Sequence, residues 1–361
     1  MEVIQRSKFK VKSSINDYEV IFSNKIEESL STELKSGDFI IIDATVQEIY
    51  SEQFENILRN YQYISLKVSE EQKSYQGVES IINFLIEKGF KKNNRLFAIG
   101  GGITQDVTAF IASILYRGVD WYFLPTTLLA QADSCIGSKT SINFRQFKNQ
   151  LGGFYPPKKI VIDPNFLNSL SEKDIKSGIG EMAHYFVVAG EEEFEYFKKN
   201  YRIALSNPDV LGNLIAKSLE IKKYYIEIDE FDKNERQVFN YGHSFGHAIE
   251  SLTNYSIPHG IAVSFGMDMS NFISMKKGYI KSSTRANSRE LFEQIWDGYA
   301  EKVKDIDISL FINALSKDKK NKGSKLGLIL NKGYGKVFKD FTENDKTFKS
   351  WMEDYFKHEL N

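Results

Sequence analysis

The sequence is poor in two residue types that commonly bind zinc. Among its 361 residues there are one cysteine, Cys135, and five histidines. A single cysteine excludes an internal disulfide bond and any zinc site built from a cluster of cysteines. A metal ion would therefore have to be held by histidine and carboxylate side chains. Charge of one sign is also not in excess: Lys plus Arg number 47 and Asp plus Glu 48, so the formal net charge of −1 gives no indication of nucleic acid or an anionic membrane as partner.

Long hydrophobic runs are missing as well. No segment approaches the run of about 18 apolar residues that predicts a transmembrane helix, and the charged start MEVIQRSKFKVKSS lacks the apolar stretch of a secretory signal. We therefore expect a cytoplasmic enzyme or binding protein. With 42% hydrophobic and 26% charged residues, the composition is that of an ordinary globular chain. The length favours one large or two ordinary domains.

Short apolar runs separated by amphipathic segments dominate the first half of the chain. The runs begin at Asp38, Tyr63, Arg95, Asp120 and Lys159. Strands that alternate with helices predict a parallel, doubly wound sheet, whose ligand site lies at the carboxyl ends of the strands.

After about residue 165 the pattern is helical, with few β-branched runs. Ser171, which is followed by acidic residues, is typical of a helix start. We therefore place a domain boundary near residue 165, between an α/β part (1–165) and a helical part (166–361).

The motif Gly100-Gly101-Gly102 directly follows a predicted strand. Glycines let backbone amides approach a phosphate group closely, and the N-terminus of a following helix favours an anion. Asp106, one turn further, is a candidate partner for a ribose or an amide, or simply a favourable first-turn acid. The spacing is not the GxGxxG of the common dinucleotide motif, so a plain strand-to-helix turn is an equally good interpretation.

Polar side chains are concentrated between residues 125 and 153. Pro125-Thr126-Thr127 ends a predicted strand and places two hydroxyls at the ligand-binding edge of the sheet. The further candidates in this stretch are Asp133, Ser134, Lys139, Lys148 and Asn149. Each alone would be interpreted as a surface-loop residue. Together, in a stretch interrupted by glycines, they favour a phosphorylated or polyhydroxylated ligand.

The histidine spacing indicates a metal site. His243 and His247 are four residues apart on one helical face, His259 follows in a predicted turn, and Glu181 and His184 share a face of another helix. One glutamate with two or three histidines is a sensible set of divalent-metal ligands with an open position. Helical histidines also commonly cap or pack, so spacing alone leaves that alternative open. His358 is interpreted as a solvated terminal residue.

Three basic residues lie on either side of the histidines in sequence: Lys222, Arg236 and Lys320. Near a metal they could hold an anionic substrate, for which arginine is well suited. Alternatively they pair with nearby acids such as Asp229.

The order of these motifs resembles that of the 3-dehydroquinate synthases, which belong to the sugar phosphate cyclase family and are related to the iron-containing alcohol dehydrogenases and glycerol dehydrogenases. The resemblance covers most of the chain and is densest from Arg95 to Met267, through the segments GGG, PTTLLAQ, KNQLG and NYGHSFGHAIE. It implies an α/β N-terminal Rossmann-like doubly wound parallel sheet that binds NAD (1–165) and an all-α C-terminal domain that binds metal and substrate (166–361).

The resemblance also implies a reaction: 3-deoxy-arabino-heptulosonate 7-phosphate is converted to 3-dehydroquinate and phosphate, a step of the shikimate pathway. NAD takes a hydride from the C5 hydroxyl while Zn²⁺, Co²⁺ or another divalent metal polarises that oxygen. Phosphate is then eliminated, the hydride is returned, and an aldol step closes the carbocycle. Two alternatives remain: a divergent cyclase acting on another heptulose or hexose phosphate, and a metal-dependent NAD polyol dehydrogenase.

Site residues are carried over position by position. The implied metal ligands are Glu181, His243 and His259. The implied NAD-binding residues are Asp43, Glu70, Lys73, Gly100, Gly101, Gly102, Asp106, Thr126, Thr127, Asp133, Ser134, Lys139 and Lys148. The implied substrate-binding residues are Lys139, Lys148, Asn149, His184, Lys222, Arg236, Asn240, His247 and Lys320. Arg117 matches an arginine that reaches the phosphate site of the neighbouring subunit, which implies a homodimer.

Four residues depart from the family pattern. His184 stands where the family has lysine, and a histidine that is neutral near pH 7 removes one fixed positive charge. Gln105 and Ser138 replace glycines, and Ile261 replaces a glutamate. These changes bear on the identity of the substrate. The presence of both Lys222 and Arg236, at positions that hold a carboxylate in the family, favours an acidic sugar phosphate.

Overall fold

The apolar runs of the first half form parallel strands, as predicted. The computed structural model describes residues 8–145, 147–318 and 320–360. They form two compact units: the described residues up to Leu170 with Leu211–Phe231, and Ser171–Val210 with the described residues from Asp232 onward. No helix in these ranges is both long and apolar enough to cross a membrane.

The first unit contains a seven-stranded sheet. Its strands are β1 (Lys8–Val11), β2 (Tyr18–Phe22), β3 (Phe39–Asp43), β4 (Gln62–Leu66), β5 (Leu96–Gly100), β6 (Trp121–Pro125) and β9 (Lys159–Ile162), while β7 (Lys139–Phe144) and β8 (Phe147–Phe154) form a separate antiparallel pair. The sheet order is β1-β2-β9-β6-β5-β3-β4, parallel throughout except for β1. The prediction of a parallel doubly wound sheet is therefore confirmed.

Helices cover the sheet and explain its apolar strands. They are α1 (Ile26–Glu33), α2 (Ala44–Ile49), α3 (Ser51–Asn60), α4 (Tyr75–Glu87) and α5 (Gly102–Ile114). Ile40, Ile42, Phe97 and Ile99 lie in one buried cluster with Phe54 of α3. Parallel strands buried on both faces read as continuous hydrophobic runs, which is why the sequence identified them.

The second unit is helical apart from one hairpin. Its helices are α6 (Glu172–Ala189), α7 (Glu191–Ala204), α9 (His243–Leu252), α10 (His259–Lys276), α11 (Ser282–Trp296), α12 (Ala300–Lys304), α13 (Ile308–Ser316) and α14 (Lys346–Asp354). Strands β10 (Lys325–Asn331) and β11 (Val337–Glu343) form the hairpin, which the prediction of an all-α half omitted. The Ser171 side chain caps α6 by accepting from the Asp174 amide, so the predicted helix start is confirmed.

Helix α8 (Pro208–Ile228) belongs mostly to the first unit. Ser218 donates a hydrogen bond to the Ala132 carbonyl, and Lys222 contacts Asp133. A single boundary near residue 165 does not describe this segment. The proposed division of roles, with NAD bound by residues 1–165 and metal and substrate by 166–361, stays a prediction.

Glycines bring the helices of the second unit close together. A Cβ on Gly180 of α6 would lie 2.2 Å from the Gly260 carbonyl oxygen of α10, and one on Gly266 of α10 would lie 1.9 Å from the Gly242 carbonyl oxygen, just before α9. Only glycine permits such backbone approaches. These contacts set the spacing of α6, α9 and α10, the three helices that present the candidate metal ligands.

Candidate active site

The predicted metal ligands converge within the second unit. Glu181 projects from α6, His243 begins α9 and His259 begins α10. Glu181 Oε1 lies 3.5 Å from His243 Nε2, and Glu181 Oε2 lies 3.3 Å from His259 Nε2. One ligand atom from each residue falls within 4.8 Å of the others. One carboxylate and two imidazoles form a donor set that suits Zn²⁺ or a similar divalent ion, with room for a further ligand.

The electrostatics of the cluster match such a role. Burial alone would raise the pKa of Glu181, but the charges and hydrogen bonds of His243 and His259 outweigh it and hold that pKa well below its usual value. Burial would lower the pKa of His259, yet its hydrogen bonds to Glu181 and Glu250 raise it well above the ordinary histidine value. The buried Glu181 side chain is therefore an anion, as a metal ligand must be.

Two more histidines surround this cluster. The buried His184 ring lies with its centroid 3.9 Å from that of Tyr185 and 5.4 Å from that of His243. The exposed His247 ring lies 5.6 Å from His243 and 5.7 Å from His259. Four of the five histidines in the sequence thus form one group, which the structure brings together as predicted.

Three predicted substrate residues of the second unit, Arg236, Asn240 and Lys320, are connected to the start of α9. Arg236 and Asn240 lie on a short 3₁₀ helix, Glu235–Asn240, that leads into it, and Arg236 is 4% exposed. Lys320 Nζ lies 3.1 Å from Asp318 Oδ2, and Asp318 also accepts a hydrogen bond from the Ser244 hydroxyl at 3.0 Å. Lys320 is therefore tied through Asp318 to the residue next to His243.

The glycine turn of the first unit leaves space at a helix N-terminus. Gly100 ends β5, Gly101 is the cap residue, and Gly102 begins the 13-residue helix α5. A Cβ on Gly102 would meet no atom within 4 Å, whereas one on Gly101 would lie 2.9 Å from Thr127 Cγ2. Open space beside helix amides is suited to a phosphate group.

The polar residues predicted near the same sheet edge have partners within the protein. Lys73 contacts Asp106 at 2.5 Å. Burial raises the pKa of Asp106 even though the Lys73 charge opposes the shift. Asp43 caps α2 by accepting from the Thr45 amide, and Thr127 accepts from the Ala130 amide. Because Asp43, Gly100 and Pro125 end parallel strands, these groups share the carboxyl edge of the sheet.

A second group forms on the β7–β8 hairpin, where the sequence indicated only a glycine-interrupted loop. Glu70 accepts from Lys148 at 3.0 Å and from Asn143 at 2.7 Å. Burial would raise the pKa of Glu70, but these two partners lower it below the usual value. The Asn149 amide donates to Asn143 Oδ1, and Lys139 begins β7 with an exposed side chain. Lys148 is thus oriented by Glu70 and Asn149 by Asn143, which the predicted site residues did not include.

Lys222 and Asp133 form a buried pair in the first unit. Lys222 Nζ lies 2.7 Å from Asp133 Oδ1 and 2.5 Å from the Asp133 carbonyl oxygen, and the lysine is 5% exposed. The alternative that Lys222 pairs with neighbouring acids such as Asp229 is replaced by this pairing across 89 residues of sequence. It joins a predicted substrate residue to a predicted cofactor residue.

The structure shows the surroundings of three of the departures from the family pattern, and it explains two of them, Gln105 and Ile261. Gln105 donates to the Ser134 carbonyl and accepts from the Ser134 hydroxyl, each at 2.6 Å, so the Ser134 hydroxyl is already engaged. Ser138 adopts a φ of 61°, a left-handed conformation that glycine adopts more easily. Ile261 is fully buried within α10, a position suited to an apolar side chain.

Arg117 lies apart from these groups. It follows α5, whose 13 residues place it about 20 Å from the glycine turn. Tyr116 and Arg117 have φ of 51° and 63°, and Gly118 has 106°. Lys92 Nζ donates to the carbonyls of Tyr116 (2.8 Å) and Gly118. Two left-handed non-glycine residues cost roughly 1–2 kcal/mol each, so surrounding contacts must hold this turn.

Comparison with known proteins agrees with the class that the fold and the site define: a doubly wound α/β unit and a mostly helical unit that carries a candidate metal cluster. Residues 63–177 match the family model described as 3-dehydroquinate synthase N-terminal, and residues 178–321 match 3-dehydroquinate synthase C-terminal. A 3-dehydroquinate synthase from Alkaliphilus metalliredigens is 34% identical over 89% of this chain and 92% of its own. The chain belongs to the 3-dehydroquinate synthase family.

Solved structures show the same fold at lower identity. A 2-deoxy-scyllo-inosose synthase complexed with carbaglucose-6-phosphate, NAD⁺ and Co²⁺ has a TM-score of 0.84 at 22% identity, over 97% of this chain and 99% of that one. A 2-epi-5-epi-valiolone synthase from Streptomyces hygroscopicus with NAD⁺ and Zn²⁺ bound has 0.82 at 21%, over 96% and 98%. The fold of this chain is therefore that of sugar phosphate cyclases.

Among the residues outside the predicted site, Asn143 and Glu250 contact predicted site residues. Glu250 accepts a hydrogen bond from His259 across 3.1 Å. Its signal in the sequence was its place three residues after His247, on the same helical face. Asn143 gave no signal, because its contacts with Glu70 and Asn149 depend on the hairpin.

Proposed function

We propose that the protein is an NAD- and metal-dependent sugar phosphate cyclase that converts 3-deoxy-arabino-heptulosonate 7-phosphate to 3-dehydroquinate and phosphate. The observation that carries the proposal is the cluster of the buried Glu181 with the half-buried His243 and His259, in a family member that also retains a buried Arg236 and Lys222. Zn²⁺ or Co²⁺ held by these three ligands would supply a Lewis acid, and NAD would supply a hydride acceptor.

The residues of the chain bind and orient the substrate in this proposal. Arg236 would bind its carboxylate, because a guanidinium can donate two parallel hydrogen bonds to one carboxylate. Lys139, Lys148 and Asn149 would bind its phosphate group and stabilise the charge that develops when phosphate leaves. Asn143 and Glu70 keep Lys148 and Asn149 in place. Catalysis then depends mainly on positioning one multiply charged ligand while it reacts.

Testing the substrate needs a matched pair of sugar phosphates. The purified protein, with NAD and Zn²⁺ or Co²⁺, would be assayed for phosphate release on the seven-carbon phosphate that carries a carboxylate (the acidic phosphate) and on a heptulose phosphate without one (the carboxylate-free phosphate). We expect turnover of the acidic phosphate. Turnover of the carboxylate-free phosphate alone would contradict this substrate and support a divergent cyclase.

His184 is the specific observation that favours the second candidate, a cyclase acting on another heptulose or hexose phosphate. Its ring is buried against Tyr185 and is 5.6 Å from that of Phe239. A lysine ammonium at this position would add a fixed positive charge beside Glu181, whose Oε1 lies 3.7 Å from His184 Nδ1.

His184→Lys is expected to raise kcat/KM for the acidic substrate about tenfold, the effect of one additional charge-assisted hydrogen bond. Steady-state rates of phosphate release from the acidic phosphate and from the carboxylate-free phosphate give the ratio of the two kcat/KM values. His184→Gln, which changes the ring without adding charge, is the control. An unchanged ratio in the lysine variant would reject charge at residue 184 as a determinant of specificity.

Gly102→Val is expected to weaken NAD binding without unfolding the protein. The added Cβ has no protein atom within 4 Å, but the side chain would occupy the space that we assign to the cofactor phosphates. Overpacking costs about 1–3 kcal/mol, so affinity should fall roughly 10- to 100-fold. Calorimetric titration with NAD measures it, with thermal unfolding as the check on the fold and Gly102→Ala as a smaller step. Unchanged affinity would place the cofactor elsewhere.

We also propose that the enzyme is a homodimer in which Arg117 acts on the partner's site. Three observations support this: the arginine is exposed, its turn is held in a strained conformation, and α5 separates it from the glycine turn of its own chain. In the described part of the chain, Arg117 has no hydrogen bond or ion pair. An exposed guanidinium carried by a backbone turn that is itself held in place is suited to an anionic ligand on another subunit.

Arg117→Ala is expected to lower kcat/KM about 10- to 100-fold, because it removes charge-assisted hydrogen bonds. Mixing Arg117→Ala chains with Glu181→Gln chains, after dissociation and reassembly, tests whether the arginine acts across subunits. Half of the dimers would then be mixed, each with one complete site, so about a quarter of wild-type activity should return. Activity that stays at the level of the two separate variants would show that Arg117 acts within its own chain.

A further inference from the structure

His259 lies between two carboxylates. Its Nε2 is 3.3 Å from Glu181 Oε2, and its Nδ1 is 3.1 Å from Glu250 Oε2. Glu250 comes from α9 and His259 from the first turn of α10, so the contact joins two helices. The Glu250 side chain is only 13% exposed. A side chain this enclosed, with its oxygen on one particular ring nitrogen, restricts the rotation of the imidazole.

The contact also selects one tautomer of the ring. An ionised carboxylate only accepts hydrogen bonds, so Glu250 requires the proton of His259 to be on Nδ1. A cation that displaces the proton shared by Nε2 and Glu181 would then meet the Nε2 lone pair on the side of the ring that faces Glu181 and His243. Metal-binding histidines commonly donate their other ring N–H to a carboxylate, which fixes the ring orientation and increases its basicity as a ligand.

We propose that Glu250 is a positioning residue that orients His259 so that Nε2 is presented to a divalent cation shared with Glu181 and His243. This inference rests on the proposed metal dependence of the enzyme. It predicts that Glu250 affects how tightly and in what geometry the ion is held, although Glu250 does not touch the ion.

A competing interpretation makes Glu250 itself a ligand. Atoms of His247, Glu250 and His259 also lie within 4.8 Å of one another. A second ion there, together with one at Glu181, would require His259 to bind metal through both ring nitrogens and therefore to lose both ring protons. A neutral imidazole keeps one N–H, and the 3.1 Å contact to Glu250 uses it. The single-ion arrangement is therefore the one that the contacts favour.

The test measures metal binding rather than turnover. The metal-free full-length protein is titrated with Zn²⁺ against a chromogenic chelator, and with Co²⁺ while its visible absorption spectrum is recorded. The variants are Glu250→Ala and Glu250→Gln. The control is Glu301→Ala, which removes a surface glutamate that pairs with Lys304. Thermal unfolding of the metal-free proteins checks that each variant folds.

We expect one ion per chain in the wild type and in every variant. Glu250→Ala should weaken binding about 10- to 100-fold, the usual effect of losing such a partner, and should shift the Co²⁺ bands. Glu250→Gln should lie between Glu250→Ala and the wild type, because its amide oxygen still accepts the Nδ1–H bond without the charge.

Three outcomes would overturn the inference. Wild-type affinity and an unchanged Co²⁺ spectrum in Glu250→Ala would show that Glu250 does not orient the ligand. Two ions in the wild type and one in Glu250→Ala would make Glu250 a ligand of a second site. No ion in the wild type would contradict the proposed metal dependence itself, and that result is distinguishable because it appears without any substitution.

Discussion

Glu181→Gln is expected to remove the bound metal and to lower kcat/KM about 1,000-fold. Glutamine keeps the shape of the side chain but replaces the anion that faces His243 and His259 with a neutral amide. A metal ion acting as a Lewis acid contributes several kcal/mol to catalysis, and about 4 kcal/mol corresponds to this factor. Elemental analysis after dialysis gives the metal content, and phosphate release gives the rate.

His358→Ala is the matched control for this experiment. His358 is exposed and lies outside the histidine group, so its replacement should leave both metal content and rate at the wild-type level. A Glu181→Gln variant that keeps one tightly bound ion, or that turns over at the wild-type rate without one, would contradict the assignment of this cluster as a catalytic metal site.

The second large effect is expected from Arg236→Met. Arg236 is 4% exposed, and methionine fills a similar volume without a charge or hydrogen-bond donors. If Arg236 binds the substrate carboxylate, its loss should lower kcat/KM for the acidic phosphate about 100-fold, the value of a strong charge-assisted pair. The kcat/KM for the carboxylate-free phosphate should fall much less, because that compound offers no carboxylate. Paired kinetic measurements on the two compounds provide the comparison.

Two control variants separate charge from geometry. Arg236→Lys keeps the charge but loses the planar pair of donors, so it should give an intermediate loss. Lys233→Met removes a nearby positive charge and should have little effect on either substrate. If Arg236→Met lowers kcat/KM equally for the acidic phosphate and the carboxylate-free phosphate, Arg236 has a structural role rather than a role in binding the carboxylate.

Much of the fold could be predicted because its signals are local. The strands β3, β5, β6 and β9 lie inside the sheet and are almost wholly buried, so each leaves a continuous apolar run. Edge strand β1, by contrast, has the sequence KFKV with two exposed lysines at its edge positions. A short charged segment of this kind shows no apolar run, and the sequence did not reveal it.

The candidate metal cluster was similarly accessible, since its residue types are rare in this chain. His243 and His247 share a helical face, and so few histidines make any grouping informative. The partners that hold the cluster were not accessible. The His259–Glu250 contact joins two helices, and the pairing of Lys222 with Asp133 joins residues 89 positions apart. Contacts of this kind are set by packing, which a single sequence does not display.

The hairpin of β7 and β8 shows the same limit. Its polar residues and glycines are typical of a loop, and most of β8 is exposed. A strand with no buried face carries no alternating pattern for the sequence to reveal. The sequence predicts a ligand-binding role for Lys139, Lys148 and Asn149, which stays a prediction, whereas their arrangement on paired strands could not be predicted.

Analysis of the products distinguishes the proposed redox-neutral cyclisation with loss of phosphate from a net oxidation. The purified protein is incubated with 3-deoxy-arabino-heptulosonate 7-phosphate, NAD and Zn²⁺ or Co²⁺. Inorganic phosphate, NADH and the mass of the organic product are then measured together. We expect phosphate and a carbocyclic product in equal amounts with no net NADH. NADH accumulating in proportion to substrate consumed, without release of phosphate, would contradict the proposed cyclisation and identify a dehydrogenase instead.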